Sequence, residues 1–145
     1  MVKQTDIVWS KTKKNVESLI TQYIYYNLSI DSGSDFKINK DFTYNMIEER
    51  FINCNYIKLT KEEKNLRINY INYVRFSYNK LTSDERKIIY WTYLDKENNY
   101  DDSFIANNLG FSLGYYYIKK KEALIRFAYS LGVESTEEVK KWQKS

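Results

Sequence analysis

The chain has 145 residues, room for one domain or two very small ones. It carries 23 Lys/Arg against 19 Asp/Glu, a net charge of +4, and it has no proline, only 4 glycines and no histidine. Few turn-formers argue against a many-turned β-fold and allow long uninterrupted helices. The lack of histidine excludes Ser–His–Asp triads, Cys–His dyads, histidine metal ligation and histidine pH switches. One cysteine, Cys54, excludes an internal disulfide and a Cys-cluster zinc site.

The charge comes in blocks. Residues 58 to 80 hold six Lys/Arg against two Glu, a net of +4. Residues 81 to 110 hold three against six acids, a net of −3, and residues 111 to 133 hold four against one, a net of +3. Clustered positive charge is the footprint expected of a polyanion partner. The first residues lack the charged-then-apolar form of a secretion signal. No apolar run approaches the roughly 20 residues needed to cross a bilayer. A cytoplasmic protein without membrane contact is expected.

In chain order, the first predicted helix spans residues 10 to 30. Val16, Leu19, Ile20, Tyr23, Ile24 and Leu28 recur at three- and four-residue steps and form one apolar stripe. Lys11, Lys13 and Lys14 precede the stripe, as a DNA-backbone arm or as a solvated helix start. Residues 31 to 35, centred on Gly33, predict a turn and the clearest linker. Residues 36 to 57 favour a helix capped by Asp41 and carrying Phe42, Met46, Ile47 and Ile52, with an extended piece at 52 to 57 as the alternative.

From Thr60 the pattern strengthens. Thr60 with Glu63 reads as a capping box, followed by Leu66, Tyr70, Tyr73, Val74, Ser77 and Leu81 at helical spacing. The cations of this helix, Lys61, Lys64, Arg67, Arg75 and Lys80, form a second candidate surface for DNA, but they do not share one face and read rather as a solvated side. Thr82 with Glu85 repeats the capping device and opens a helix with Ile88, Ile89, Trp91 and Leu94. Asp101 or Asp102 caps a short helix, residues 103 to 109. Gly110 sits where a left-handed terminator is wanted, Ser112 caps the next helix to about Leu131, and Gly132 ends it. Ser135 with Glu138 predicts a short tail helix with Val139 and Trp142.

Residues 104 to 112, Phe-Ile-Ala-Asn-Asn-Leu-Gly-Phe-Ser, carry the functional signal. Ile105, Ala106 and Leu109 face inward, and the small Ala106 allows a close helix crossing. Gly110 takes the corner, Phe111 plugs it and Ser112 caps a basic helix. These are the parts of a helix-turn-helix. An ordinary helical hairpin with a glycine turn would show the same string. The helix amino terminus carries the positive end of the helix dipole, which suits a phosphate.

Leu81-Thr82-Ser83-Asp84-Glu85-Arg86, then Ile105-Ala106 with Leu109-Gly110-Phe111-Ser112, then Tyr116-Tyr117-Ile118-Lys119-Lys120-Lys121 with Ala123-Leu124, resembles the −35-reading domain (region 4) of a sigma-70-type factor. More closely, this stretch of about residues 80 to 132 is similar to phage late-gene transcriptional regulators of the ArpU/RinA type. The resemblance implies an all-α fold, a sigma-region-4-like DNA-binding domain, and a cytoplasmic activator acting at a late promoter of a phage, prophage or mobile element. The first half resembles nothing nameable.

One departure stands out. The first turns of the recognition helix read Leu113, Gly114, Tyr115, Tyr116, Tyr117 and Ile118, with none of the Arg, Lys, Asn or Gln that reads base edges. Tyr116 and Ala123, seven apart, are expected in the core. Ser112, Leu113, Gly114, Tyr115 and Tyr117 are then the groove-facing candidates, with Lys119, Lys120 and Lys121 holding phosphates. The tyrosines could also stack on unpaired bases, though core packing explains them as well.

The expected architecture is about six helices. Residues 1–57 form an amino-terminal helical region assigned to homo-oligomer formation or contact with RNA polymerase, and residues 58–145 form the DNA-binding domain. No catalytic, cofactor or metal residues are expected: Asp101-Asp102 reads as a helix cap, Glu48-Glu49 as a solvated face and Cys54 as a small buried residue. The expected function is a transcriptional regulator on double-stranded DNA. The rivals are a small terminase subunit-like DNA-packaging protein and a protein-interaction module on a helix-turn-helix scaffold.

Overall fold

The computed structural model describes residues 8–30, 37–48, 59–95 and 97–135. The described chain is all-α. Helix α1 spans Trp9–Ser29, α2 Lys61–Asn79, α3 Ser83–Ile89, α4 Asp102–Leu109 and α5 Leu113–Leu131. A single π-helical turn, Tyr90–Leu94, prolongs α3. The expected linker at 31 to 35, Cys54 and the tail helix after Ser135 lie outside the described residues.

The caps follow the sequence, except that the box expected of Thr60 and Glu63 forms on the Thr60 side alone. The Thr60 hydroxyl accepts from the Glu63 N–H, and Thr82 and Glu85 form a full reciprocal capping box. Asp101, not Asp102, caps α4 by accepting from the Phe104 N–H. Each such cap satisfies an amide that has no partner in the first helical turn.

Residues 37–48 are not helical, contrary to the expectation of a helix over 36 to 57. Asp41 caps no helix; its carboxylate accepts from the backbone and hydroxyl of Thr43. Phe42 stands at φ 61, in the left-handed region. The reason lies across the molecule, on α2. The Asn79 carboxamide accepts from the Tyr44 N–H and donates to the Tyr44 C=O. Asn72 makes the same pair of bonds with Ile47. Two side chains one heptad apart thus satisfy the backbone N–H and C=O of Tyr44 and Ile47 without a helix.

Helices α1, α2 and α5 share the larger core, built on Val16, Ile20, Tyr23, Ile71, Val74, Leu124 and Phe127. The inner part of the α1 stripe is therefore covered within the chain. Its breadth, the basis for expecting self-association, is explained by α2 and α5, although Leu28 remains exposed. The seam of α2 matches the expected one at Val74, Ser77 and Leu81 and differs elsewhere. Ile68, Ile71, Val74 and Tyr78 face the core, while Leu66 and Tyr73 lie outside. Arg75, expected on a solvated side, is fully buried. Its guanidinium donates to the Tyr23 hydroxyl, the Asn45 carbonyl and the Asn27 carboxamide, and lies 5.0 Å from the Tyr44 ring centroid. A buried cation is tolerated when its donors are used in this way.

Candidate nucleic-acid interface

A second, smaller core joins α3, α4 and the start of α5. Ile88, Ile105, Ala106 and Tyr116 are buried in it, flanked by Trp91, Tyr100, Leu109 and Phe111. The corner is built as the sequence implies. Gly110 adopts φ 72 and ends α4. The Phe111 N–H donates back to the Ala106 carbonyl at 2.9 Å, closing the helix end. Ser112 then starts α5, its hydroxyl accepting from the Tyr115 N–H. A Cβ at Gly110 would meet no atom within 4 Å, so backbone conformation alone selects glycine there.

The small core fixes the pose of α5. Tyr116 is fully buried, and its hydroxyl donates to Asp102 Oδ1 at 2.9 Å. Lys120 Nζ reaches the same oxygen at 3.1 Å. Burial alone would raise the Asp102 carboxyl, but the Lys120 and Tyr116 hydrogen bonds and the lysine charge outweigh it and hold the pKa below the ordinary aspartate range. The Tyr116 phenol is pushed well above its usual value by burial and by the adjacent carboxylate. Asp102 thus ties α5 to the first turn of α4. This role is not visible in the sequence, because its partners lie 14 and 18 residues away.

With Tyr116 inward, the expected groove-facing residues turn outward together. Ser112 and Gly114 are exposed, Leu113 is 43% exposed, and Tyr115 and Tyr117 are each 49% exposed. Ile118, absent from the expected set, is the most open of the large ones at 59%. Gly114, Ile118 and Lys121 follow one another at helical steps of four and three, so they form one exposed line on α5.

The three lysines separate. Lys121 lies on that exposed line, with its amine 5.3 Å from the Trp9 ring centroid on α1. Lys119 pairs with Glu122 at 3.6 Å, and Lys120 is committed to Asp102. They do not act as one equivalent set. Further along α5, Arg126 pairs at 3.0 Å with Glu85, whose side chain is only 2% exposed. The Asp84-Glu85-Arg86 motif is thereby accounted for structurally: Glu85 also closes the α3 cap, and Arg86 donates to the Leu81 and Asp41 carbonyls.

The chain matches no family model, no curated protein and no solved structure in the comparisons made. What it can do must therefore be inferred from its own surfaces. Among the described residues no group of three or more His, Cys, Asp or Glu side chains is placed to hold a metal ion. No helix among them is long and apolar enough to cross a membrane. A surface groove runs along α1, lined by Lys14, Glu17, Ser18, Thr21, Gln22 and Tyr25, with the Thr21 hydroxyl donating to the Glu17 backbone carbonyl.

Proposed function

We propose that the chain is a DNA-binding transcriptional regulator of the phage type, using α4, the Gly110 corner and α5 as a helix-turn-helix. The observation that carries this reading is the pose of α5. Its carboxyl half packs between α1 and α2, and its first turns rest on α3 and α4 through Tyr116 and expose their outer face. A helix packed along its inner face, with the outer face of its first turns exposed, can enter a major groove. The likeness of residues 80 to 132 to ArpU/RinA-type regulators and to sigma region 4 agrees with it, and implies a cytoplasmic protein that works beside RNA polymerase.

Lys121 supplies the backbone contact from the exposed line, and Lys119 joins by exchanging Glu122 for a phosphate. A surface ion pair contributes about 0–1 kcal/mol, so that exchange costs little. Fluorescence anisotropy on a short duplex of random sequence tests the reading. Affinity should fall linearly with log salt, because phosphate contacts release counterions. Lys121→Ala should weaken binding to all sequences and reduce the slope by about one. Absence of binding would overturn the proposal.

One observation favours a second reading, a protein-interaction module. The bare face of α5 is mostly apolar, and two of its lysines are paired internally. Binding to a partner that is indifferent to salt would select that reading.

A further inference from the structure

Resting on the DNA-binding reading, we propose that α5 recognises thymine through its C5 methyl group, so that the protein selects A·T-rich major-groove sites by apolar contact. The exposed large side chains of the first two turns are Leu113, Tyr115, Tyr117 and Ile118. None carries a guanidinium, ammonium or carboxamide. The paired hydrogen bonds that read guanine O6/N7 or adenine N6/N7 are therefore out of reach for this segment. The major groove offers one apolar group, the thymine methyl. Leu113 and Ile118 offer branched aliphatic ends to match it.

The backbone favours a close approach. Gly114 lies on the same exposed line as Ile118, and a Cβ there would meet no protein atom within 4 Å. With no side chain at that position, the helix can come nearer to the base pairs than a bulkier residue would allow, and Ile118 follows one turn deeper along the line. Lys121, the next residue on the line, supplies the cation at its far end. Tyr115 packs edge-on against Phe111 at 4.9 Å, so its ring is held in place before any ligand arrives. The chemistry of this face is thus aliphatic at the centre and cationic at one end, which complements a methyl-lined groove bordered by phosphate.

The test begins with the full chain and a pool of short duplexes of random sequence. The bound duplexes are recovered, sequenced and resynthesised with deoxyuridine replacing thymidine. Uracil keeps every hydrogen-bonding group of thymine and lacks only the methyl. Enrichment of A·T pairs, and binding weakened about fourfold for each contacted methyl removed, is the expected result. Ile118→Ser should reduce the thymine-over-uracil preference, and Leu113→Ser with Ile118→Ser should abolish it, while the salt dependence persists; Leu113 is 43% and Ile118 59% exposed, so folding is not at stake. Duplexes bound equally well with uracil would overturn the methyl readout and leave the DNA-binding reading standing. Failure to retain any duplex at low salt would overturn both.

Discussion

Replacing Asp102 by Asn separates the charge of the α4–α5 tie from its shape. In the native chain one carboxylate oxygen receives the Tyr116 hydroxyl at 2.9 Å and the Lys120 amine at 3.1 Å. Asn keeps an oxygen there, so the Tyr116 bond survives as a neutral one and loses about 1 kcal/mol. The Lys120 pair sits at a partly solvated site, with side chains 20% and 35% exposed, and is worth about 0.2–1 kcal/mol. An acid in the first turn of α4 adds about 0.3–1 kcal/mol through the helix dipole. The total is about 2 kcal/mol, or a fall in melting temperature of about 4–8 °C for a chain of this size. The pH dependence has a definite sign. The carboxyl is held below its ordinary range in the fold, so its contribution is complete above about pH 5 and is lost as the pH falls through the depressed value. Thermal and urea unfolding of both proteins between neutral and acid pH would show the native chain losing an increment that D102N lacks. Equal stability at neutral pH with identical acid slopes would refute the role given to Asp102.

Other expectations follow from single sites. Gly110→Ala puts a β-carbon at φ 72 with open space around it, so the cost is conformational, about 1–2 kcal/mol in urea unfolding. Arg75→Ala removes a fully buried side chain and leaves the Tyr23 hydroxyl and the Asn45 carbonyl short of a partner; a loss above about 3 kcal/mol is expected by chemical denaturation. In anisotropy titrations Lys121→Ala should weaken DNA binding, with only the small fall in melting temperature that loss of the Trp9 contact, about 0.5–1 kcal/mol, brings. Lys120→Ala should lower the melting temperature as well, since it also breaks the Asp102 tie.

Much of the fold was legible because its punctuation is local. The caps at Thr60, Thr82, Asp101 and Ser112 and the left-handed stops at Gly110 and Gly132 each lie within a few residues of what they terminate. The inward Tyr116 and Ala123 and the outward Tyr115 and Tyr117 follow from helical periodicity once the cap is placed. The misread parts depend on distant partners. Residues 37–48 look helical alone and are not, and Asn79 and Asn72 of α2 bond the backbone of Tyr44 and Ile47 there. Arg75 reads as a surface cation and is buried because Tyr23, Asn27 and the Asn45 carbonyl meet it. The Lys119-Lys120-Lys121 run reads as one basic patch, yet its members diverge by 100° per residue and find Glu122, Asp102 and Trp9 in turn.

Amide chemical shifts of the labelled full chain, followed as a selected duplex is added, test most directly whether α5 docks on DNA. Shifts concentrated at residues 112–121, with the outer face of α1 at Ser18 and Gln22 unmoved, are the predicted outcome. Shifts confined to the outer face of α2 around Leu66, Tyr73 and Phe76, with residues 112–121 silent, would contradict it.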